Sequence, residues 1–337
     1  MINETLVKIV DGHPVDRAES QAAMAAIMDG ECTPAQIGAF LVALRMRGET
    51  VDQISGFAEA MRESCVRIRT KHPDVVDTCG TGGDALDTFN ISTAAALVAA
   101  AAGVPVAKHG NRSVSSKCGS ADVLEALGVK IDASAQSVAA CIEKARIGFM
   151  FAPVFHPAMK HVQPTRKGLG FRTVFNILGP LANPAGAKRQ VLGVADENLM
   201  QLVAEALVLL GAEYAMVVHA EGMDEISISS ATKVLELKDG RILARTLDPG
   251  DLGIAVAAVD VLKVPDARAS AELIRRIVEG RQTGPARDIV VLNAAAGIIV
   301  AGLAEDFGAA IELAGAAIDR GDAAGCLEML IECSNRP

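Results

Sequence analysis

At 337 residues, half of them hydrophobic and 22% charged, the chain has material for two domains or one large one, and its composition excludes intrinsic disorder. A net charge of -9 and 3% aromatics, with no Trp and one Tyr, count against nucleic acid: they provide neither a general phosphate-neutralising surface nor stacking platforms. The uncharged stretches Ile91 to Ala107 and Ile289 to Ala304 fall short of the roughly 20 apolar residues of a membrane helix. The first residues lack the order of a signal peptide, and seven scattered cysteines without a Cys-x-x-Cys pair read as reduced thiols in a cytoplasmic protein.

From the start to about His72 the pattern is helical. Thr33 before Pro34 sets an N-cap, Ile37, Phe40, Leu41 and Leu44 follow at helical spacing, and Gly48 is a natural stop. Thr50 and Gln53 form a capping box ahead of Ile54, Phe57, Ala58 and Met61 on one face, and no strand is expected before Val75. Beyond His72 short β-branched runs alternate with Ala-rich helices. Strands are expected at Val75 to Asp77, Val104 to Val106, Val191 to Val194 and Ala215 to Val218, with helices at 92–102 and near 197–210. Val234 to Leu237 and Ile242 to Arg245 flank Asp239-Gly240 as an edge hairpin. Helices return over about 266–333 around one more strand at Ile289 to Leu292. The fold class is α/β: a small all-helical N-terminal part and a larger α/β part with a mostly parallel central sheet.

Charge is distributed unevenly. Thr88 to Ala121 and Lys144 to Ala195 hold no acid and eleven basic residues, which leaves -20 for the remainder. Acid-free segments in so acidic a chain suit an anionic small molecule, against the plainer reading of a solvated basic face.

Three motifs carry chemistry. After the first strand comes Thr78-Cys79-Gly80-Thr81-Gly82-Gly83-Asp84, and Asn90-Ile91-Ser92-Thr93 then opens a helix. A glycine loop and a helix N-terminus offer backbone N–H groups to a phosphate or pyrophosphate. No Gly-Lys-Ser/Thr follows, so this is not a Walker loop, and the acidic residue expected about 20 positions after a dinucleotide loop is missing. The string Lys108 to Ser120, between a strand and a helix from about Ala121, joins three cations to hydroxyl and amide side chains and two glycines, the makings of a polyphosphate cradle. Asp224-Glu225, in a turn after a strand ending at His219, suits Mg2+, which takes oxygen ligands and bridges to phosphate.

With His156-Pro-Ala-Met-Lys-His-Val-Gln-Pro-Thr-Arg166 and Gly170-Phe-Arg-Thr-Val-Phe-Asn-Ile-Leu-Gly-Pro-Leu-Ala-Asn-Pro184, these segments resemble the anthranilate phosphoribosyltransferase family over nearly the whole chain. That family moves 5-phosphoribosyl from phosphoribosyl pyrophosphate to the amino group of anthranilate, on the way to tryptophan. The resemblance implies a nucleoside phosphorylase/phosphoribosyltransferase-like fold: a helical domain of residues 1–72, joined by part of 160–190, and an α/β domain of 73–337. It further implies a cleft site, a cytoplasmic homodimer and one or two Mg2+ per subunit. By matching position, Gly80, Gly83, Asp84, Thr88, Asn90, Ile91, Ser92, Thr93, Lys108, His109, Gly110, Asn111, Arg112, Ser113, Val114, Ser115, Ser116 and Ser120 would hold the donor. Arg166, with Asn111 and Gly80 nearby, would meet the anthranilate carboxylate, and Ser92, Asp224 and Glu225 would hold metal. Thr165 and Met223 depart from the aliphatic residue and the Leu expected there, and remove no charge or donor. His109 is either a proton acceptor or a structural histidine bonded to backbone. A pyrimidine nucleoside phosphorylase, which uses inorganic phosphate, and a non-catalytic nucleotide-binding relative are the competing readings.

Overall fold

The computed structural model describes residues 2–113 and 118–336. Four helices come first: α1 (Ile2–Asp11), α2 (Arg17–Met28), α3 (Pro34–Arg47) and α4 (Val51–Glu63). Reciprocal capping boxes open three of them, Asp16 with Glu19, Thr33 with Gln36 and Thr50 with Gln53, so each start is written locally in the sequence. The buried Phe40 and Phe57 meet edge to face at 5.6 Å between ring centroids.

The α/β part runs β1 (Val76–Gly80), α5 (Ile91–Ala101), β2 (Val106–Gly110), α6 (Ser120–Leu127), α7 (Ala135–Ala145), β3 (Ile147–Phe151), α8 (Ala152–Phe155), α9 (Gln163–Leu169) and α10 (Phe175–Leu181). It continues with β4 (Arg189–Gly193), α11 (Leu199–Leu209), β5 (Tyr214–His219), β6 (Thr232–Lys238), β7 (Arg241–Leu247), α12 (Ala267–Val278), α13 (Pro285–Val300), α14 (Phe307–Asp319) and α15 (Asp322–Asn335). The strands form one sheet in the order β3-β2-β1-β4-β5-β6-β7; the first five in that order are mutually parallel, and the β6–β7 hairpin turns at Asp239-Gly240 and makes an antiparallel edge. Alternation along the strands serves two cores. Val191, Met216 and Val218 face α5 and α12 to α15, whereas Leu192, Ala215 and Val217 share a core with α10, α11 and the N-terminal helices. Arg62 of α4 ties that second core together, its Nε donating to Leu181 O at 2.7 Å and its Nη1 to Leu210 O at 3.3 Å.

Three expectations need correction. Residues 289–292 are not a strand but lie inside α13, which has thirteen of its sixteen residues buried. An apolar run buried on every side has no periodicity to separate helix from strand, and Gly284-Pro285 ahead of it was the usable start signal. The strand expected at Val104 to Val106 begins at Val106 and runs on through Lys108, His109 and Gly110, and the first strand likewise extends to Gly80. Finally, β3 pairs with β2 along its whole length and was not anticipated. Among the described residues no helix is long and apolar enough to cross a membrane.

Candidate active site

The C-terminal ends of β1 and β2, with the segments that follow β3 and β5, open onto a cleft of about 550 Å³, walled on its far side by α9 and α10. That is the position at which open parallel sheets bind ligands. Gly80 ends β1 because there is no room for a side chain: a Cβ there would lie 2.4 Å from Asp224 Oδ2. Asp224 in turn accepts the Gly82 N–H at 2.8 Å, and Glu225 accepts the Ser92 N–H in the first turn of α5. Two backbone donors of the expected phosphate seat are therefore held here by the two neighbouring carboxylates.

Electrostatics sharpen the picture. Burial, and then Asp84, push the Asp224 carboxyl up to about 6; burial and Asp224 push Glu225 well above the carboxylate range. Lys108 is buried at their side, its Nζ donating to Thr78 O at 2.5 Å and to Ser92 Oγ at 3.2 Å, and burial lowers its basicity. Two crowded carboxylates and a serine hydroxyl fit a hard cation that keeps waters and shares phosphate oxygens. Among the described residues no group of three or more His, Cys, Asp or Glu side chains is placed to hold a metal ion by itself.

The opposite wall is set by the end of α10. Pro180 interrupts the helix, and four successive carbonyls are met by four side chains from other elements. His109 Nδ1 donates to Gly179 O at 3.1 Å, Gln190 Nε2 to Pro180 O at 2.9 Å, Arg62 Nε to Leu181 O at 2.7 Å, and His156 to Ala182 O. Because carbonyls accept, both histidines carry their proton toward the backbone, and each Nε2 is left without a partner among the described residues. Burial holds both neutral, His109 down to about 3 and His156 to about 4. Arg166 of α9 stands above the Phe175 ring, 5.2 Å from its centroid, with no hydrogen bond or ion pair among the described residues, and burial lowers its basicity. A guanidinium in this half-buried position can take a carboxylate through its planar fork.

Comparison with known proteins decides the family. Residues 72–324 match the glycosyl transferase family a/b domain, and residues 3–65 match its helical bundle domain. The anthranilate phosphoribosyltransferase of Anaeromyxobacter dehalogenans strain 2CP-C is 49% identical over the whole of both chains. That of Acetivibrio thermocellus is 51% identical over 99% of this chain and 97% of its own. The chain belongs to the anthranilate phosphoribosyltransferase family. Its structure agrees: the Thermus thermophilus anthranilate phosphoribosyltransferase superimposes with a TM-score of 0.93 at 43% identity, covering 98% and 99% of the two chains. The Saccharomyces cerevisiae anthranilate phosphoribosyltransferase in complex with PRPP and Mg gives 0.90 at 26% identity over 99% and 97%.

For this anthranilate phosphoribosyltransferase relative, the residues singled out in the sequence largely converge. Gly80, Gly83, Asp84, Thr88, Asn90, Ile91, Ser92, Lys108, His109, Gly110, Asn111, Ser113, Ser120, Arg166, Asp224 and Glu225 all line the cleft. Thr93 does not. It is fully buried behind the first turn of α5, its N–H capped by Asn90 Oδ1 at 3.0 Å. Arg112 reaches the rim, but its guanidinium is taken by Asp122 and Glu125, each at 2.8 Å, and lies over Phe151. Val114, Ser115 and Ser116 lie outside the described residues. Among the cleft side chains given no role from the sequence are His156, bonded to the carbonyl just past α10, and Arg172, although both lie in segments that carry the family resemblance.

Proposed function

We propose that the chain transfers the 5-phosphoribosyl group from phosphoribosyl pyrophosphate to the amino group of anthranilate, releasing pyrophosphate, in tryptophan biosynthesis. The observation that carries the reading is the division of one cleft. At one end lie the glycine loop, the start of α5 and the carboxylates Asp224 and Glu225; at the other stands Arg166, over the Phe175 ring and with no ion pair among the described residues. A polyanionic donor and a carboxylate-bearing acceptor need those two ends.

The transition state is oxocarbenium-like, with negative charge growing on the leaving pyrophosphate. In this reading the donor is held by the Gly80 to Asp84 loop and the start of α5 at Asn90 to Ser92, with Lys108, Asn111, Ser113 and Ser120. Ser92, Asp224 and Glu225 hold Mg2+, which supplies charge neutralisation of the pyrophosphate. Arg166 takes the anthranilate carboxylate through its planar fork, with Gly80 and Asn111 alongside. His109 is too weakly basic to draw a proton from a neutral amine. Its Nε2 is shielded from the cleft and its Nδ1 is bonded to Gly179 O, so His109 is read as a structural histidine that braces the end of α10.

The reading extends to organisation: a helical domain of residues 1–72 joined by part of 160–190, an α/β domain of 73–337, and a cytoplasmic homodimer. The seven free cysteines and the exposed Val7, Val10 and Met46 on the N-terminal helices support the compartment and the dimer. The test is pyrophosphate release on mixing the purified protein with both substrates and magnesium. Phosphorolysis of thymidine or uridine without anthranilate turnover would move the chain to the nucleoside phosphorylases.

A further inference from the structure

Arg172 lies between α9, which carries Arg166, and α10, and its guanidinium crosses the cleft to the glycine loop. Its Nη2 donates to Thr81 O at 2.9 Å, while the N–H of the same peptide unit, on Gly82, goes to Asp224 at 2.8 Å. The peptide is thus gripped at both ends. The guanidinium also lies against the loop itself: a Cβ on Gly83 would sit 1.6 Å from Nη1, so Arg172 occupies the space that any side chain at this left-handed position (φ +84°) would fill.

A guanidinium has five N–H donors, and among the described residues only one contact, to Thr81, is a hydrogen bond and no carboxylate lies within ion-pairing distance. Among the described residues the other cations at this end of the cleft have fewer donors to spare: Lys108 donates to Thr78 and Ser92, and Arg112 is engaged by Asp122 and Glu125. Against them stand four carboxylates, Asp84, Asp87, Asp224 and Glu225. A pyrophosphate entering here needs a further positive group with free donors at the loop, and Arg172 is placed to be it.

The geometry points to Arg172 as a donor-binding residue: anchored on the Thr81 carbonyl, it presents its remaining N–H groups to the pyrophosphate oxygens over Gly83. The inference rests on the proposed phosphoribosyl transfer, and pyrophosphate binding separates the two. Binding of magnesium pyrophosphate is measured by calorimetry on wild type, Arg172→Gln and Arg172→Lys, with both KM values from steady-state turnover and the unfolding midpoint as a control. Gln keeps a donor for Thr81 but removes the charge, so pyrophosphate binding weakens about tenfold or more and the donor KM rises in step, while the anthranilate KM stays within about threefold. Lys keeps the charge and recovers most of the loss. Folded Arg172→Gln with pyrophosphate affinity within about threefold of wild type overturns the inference, as does a rise in the anthranilate KM equal to that in the donor KM. Wild type that binds magnesium pyrophosphate but transfers nothing to anthranilate overturns the functional reading instead.

Discussion

Replacing Arg166 by Ala separates a substrate-binding role from a structural one, because the structure gives the guanidinium almost nothing to do within the folded chain. Among the described residues the guanidinium's one charged or ring partner is Phe175 at 5.2 Å, worth about 0.5–1 kcal/mol at a partly exposed site, and burial already disfavours its charge. Arg166→Ala therefore leaves the unfolding midpoint within a few degrees of wild type. Binding is another matter. A carboxylate held by two charge-assisted hydrogen bonds loses about 3 kcal/mol when the fork is removed, which is roughly 10²-fold in affinity. Steady-state kinetics, with loss of anthranilate fluorescence as the signal and each substrate varied in turn, should show the anthranilate KM rising by about that factor and the donor KM moving by less than about threefold. Equal rises in both, or a thermal destabilisation of many degrees, would place Arg166 in the scaffold.

Two more expectations concern the charged and the neutral groups of the cleft. In the metal-free protein Asp224 is held above its ordinary range, so the stability it contributes is present below about 4 and lost as pH rises through about 6, and Glu225, pushed up by burial and by Asp224, acts in the same sense. The pair Asp224→Asn with Glu225→Gln should accordingly melt higher than wild type at pH 8 without metal, show no stabilisation by magnesium with pyrophosphate, and lose roughly 10²-fold or more in kcat; an unchanged magnesium titration removes the pair from the site. His109 behaves in the opposite sense. Its folded value of about 3 lies below the ordinary 6.5, so its contribution is complete above about 6.5 and falls away on acidification, by about 2 kcal/mol between pH 7 and pH 5. Urea unfolding at the two pH values should therefore show the stability gap between wild type and His109→Asn narrowing by that amount; a gap independent of pH contradicts a buried neutral imidazole.

What the sequence disclosed depended on how local the determining physics was. The N-cap at Thr33, the capping box at Thr50 and the Asp239-Gly240 hairpin are set by neighbours within a few residues and appear where expected, whereas the strands before the glycine loops are present but run further than their β-branched residues. The α13 helix and β3 were misjudged or missed because both are buried on every side, which erases the period that distinguishes them. In the site, charge type and spacing were enough to find Asp224, Glu225, Lys108 and Arg166. They could not tell that Lys108 and His109 sit on a strand, that Thr93 faces inward, or that Arg112 is engaged by Asp122 and Glu125. The tautomers of His109 and His156 are fixed by carbonyls about 70 and 26 positions away, on the broken end of α10, and the reach of Arg172 to Thr81 spans 91 positions. Long-range partners of this kind are written only in the folded chain.

The central claim is that one cleft brings a magnesium-held pyrophosphate donor to a carboxylate-bearing aromatic amine. It is tested most directly by following anthranilate fluorescence in the purified protein as phosphoribosyl pyrophosphate is added, with magnesium and after its removal by a chelator. The account predicts a loss of fluorescence that needs both magnesium and the donor and that disappears in Arg166→Ala at low anthranilate. Fluorescence that stays constant in wild type under every metal condition, in protein shown to be folded, would contradict it.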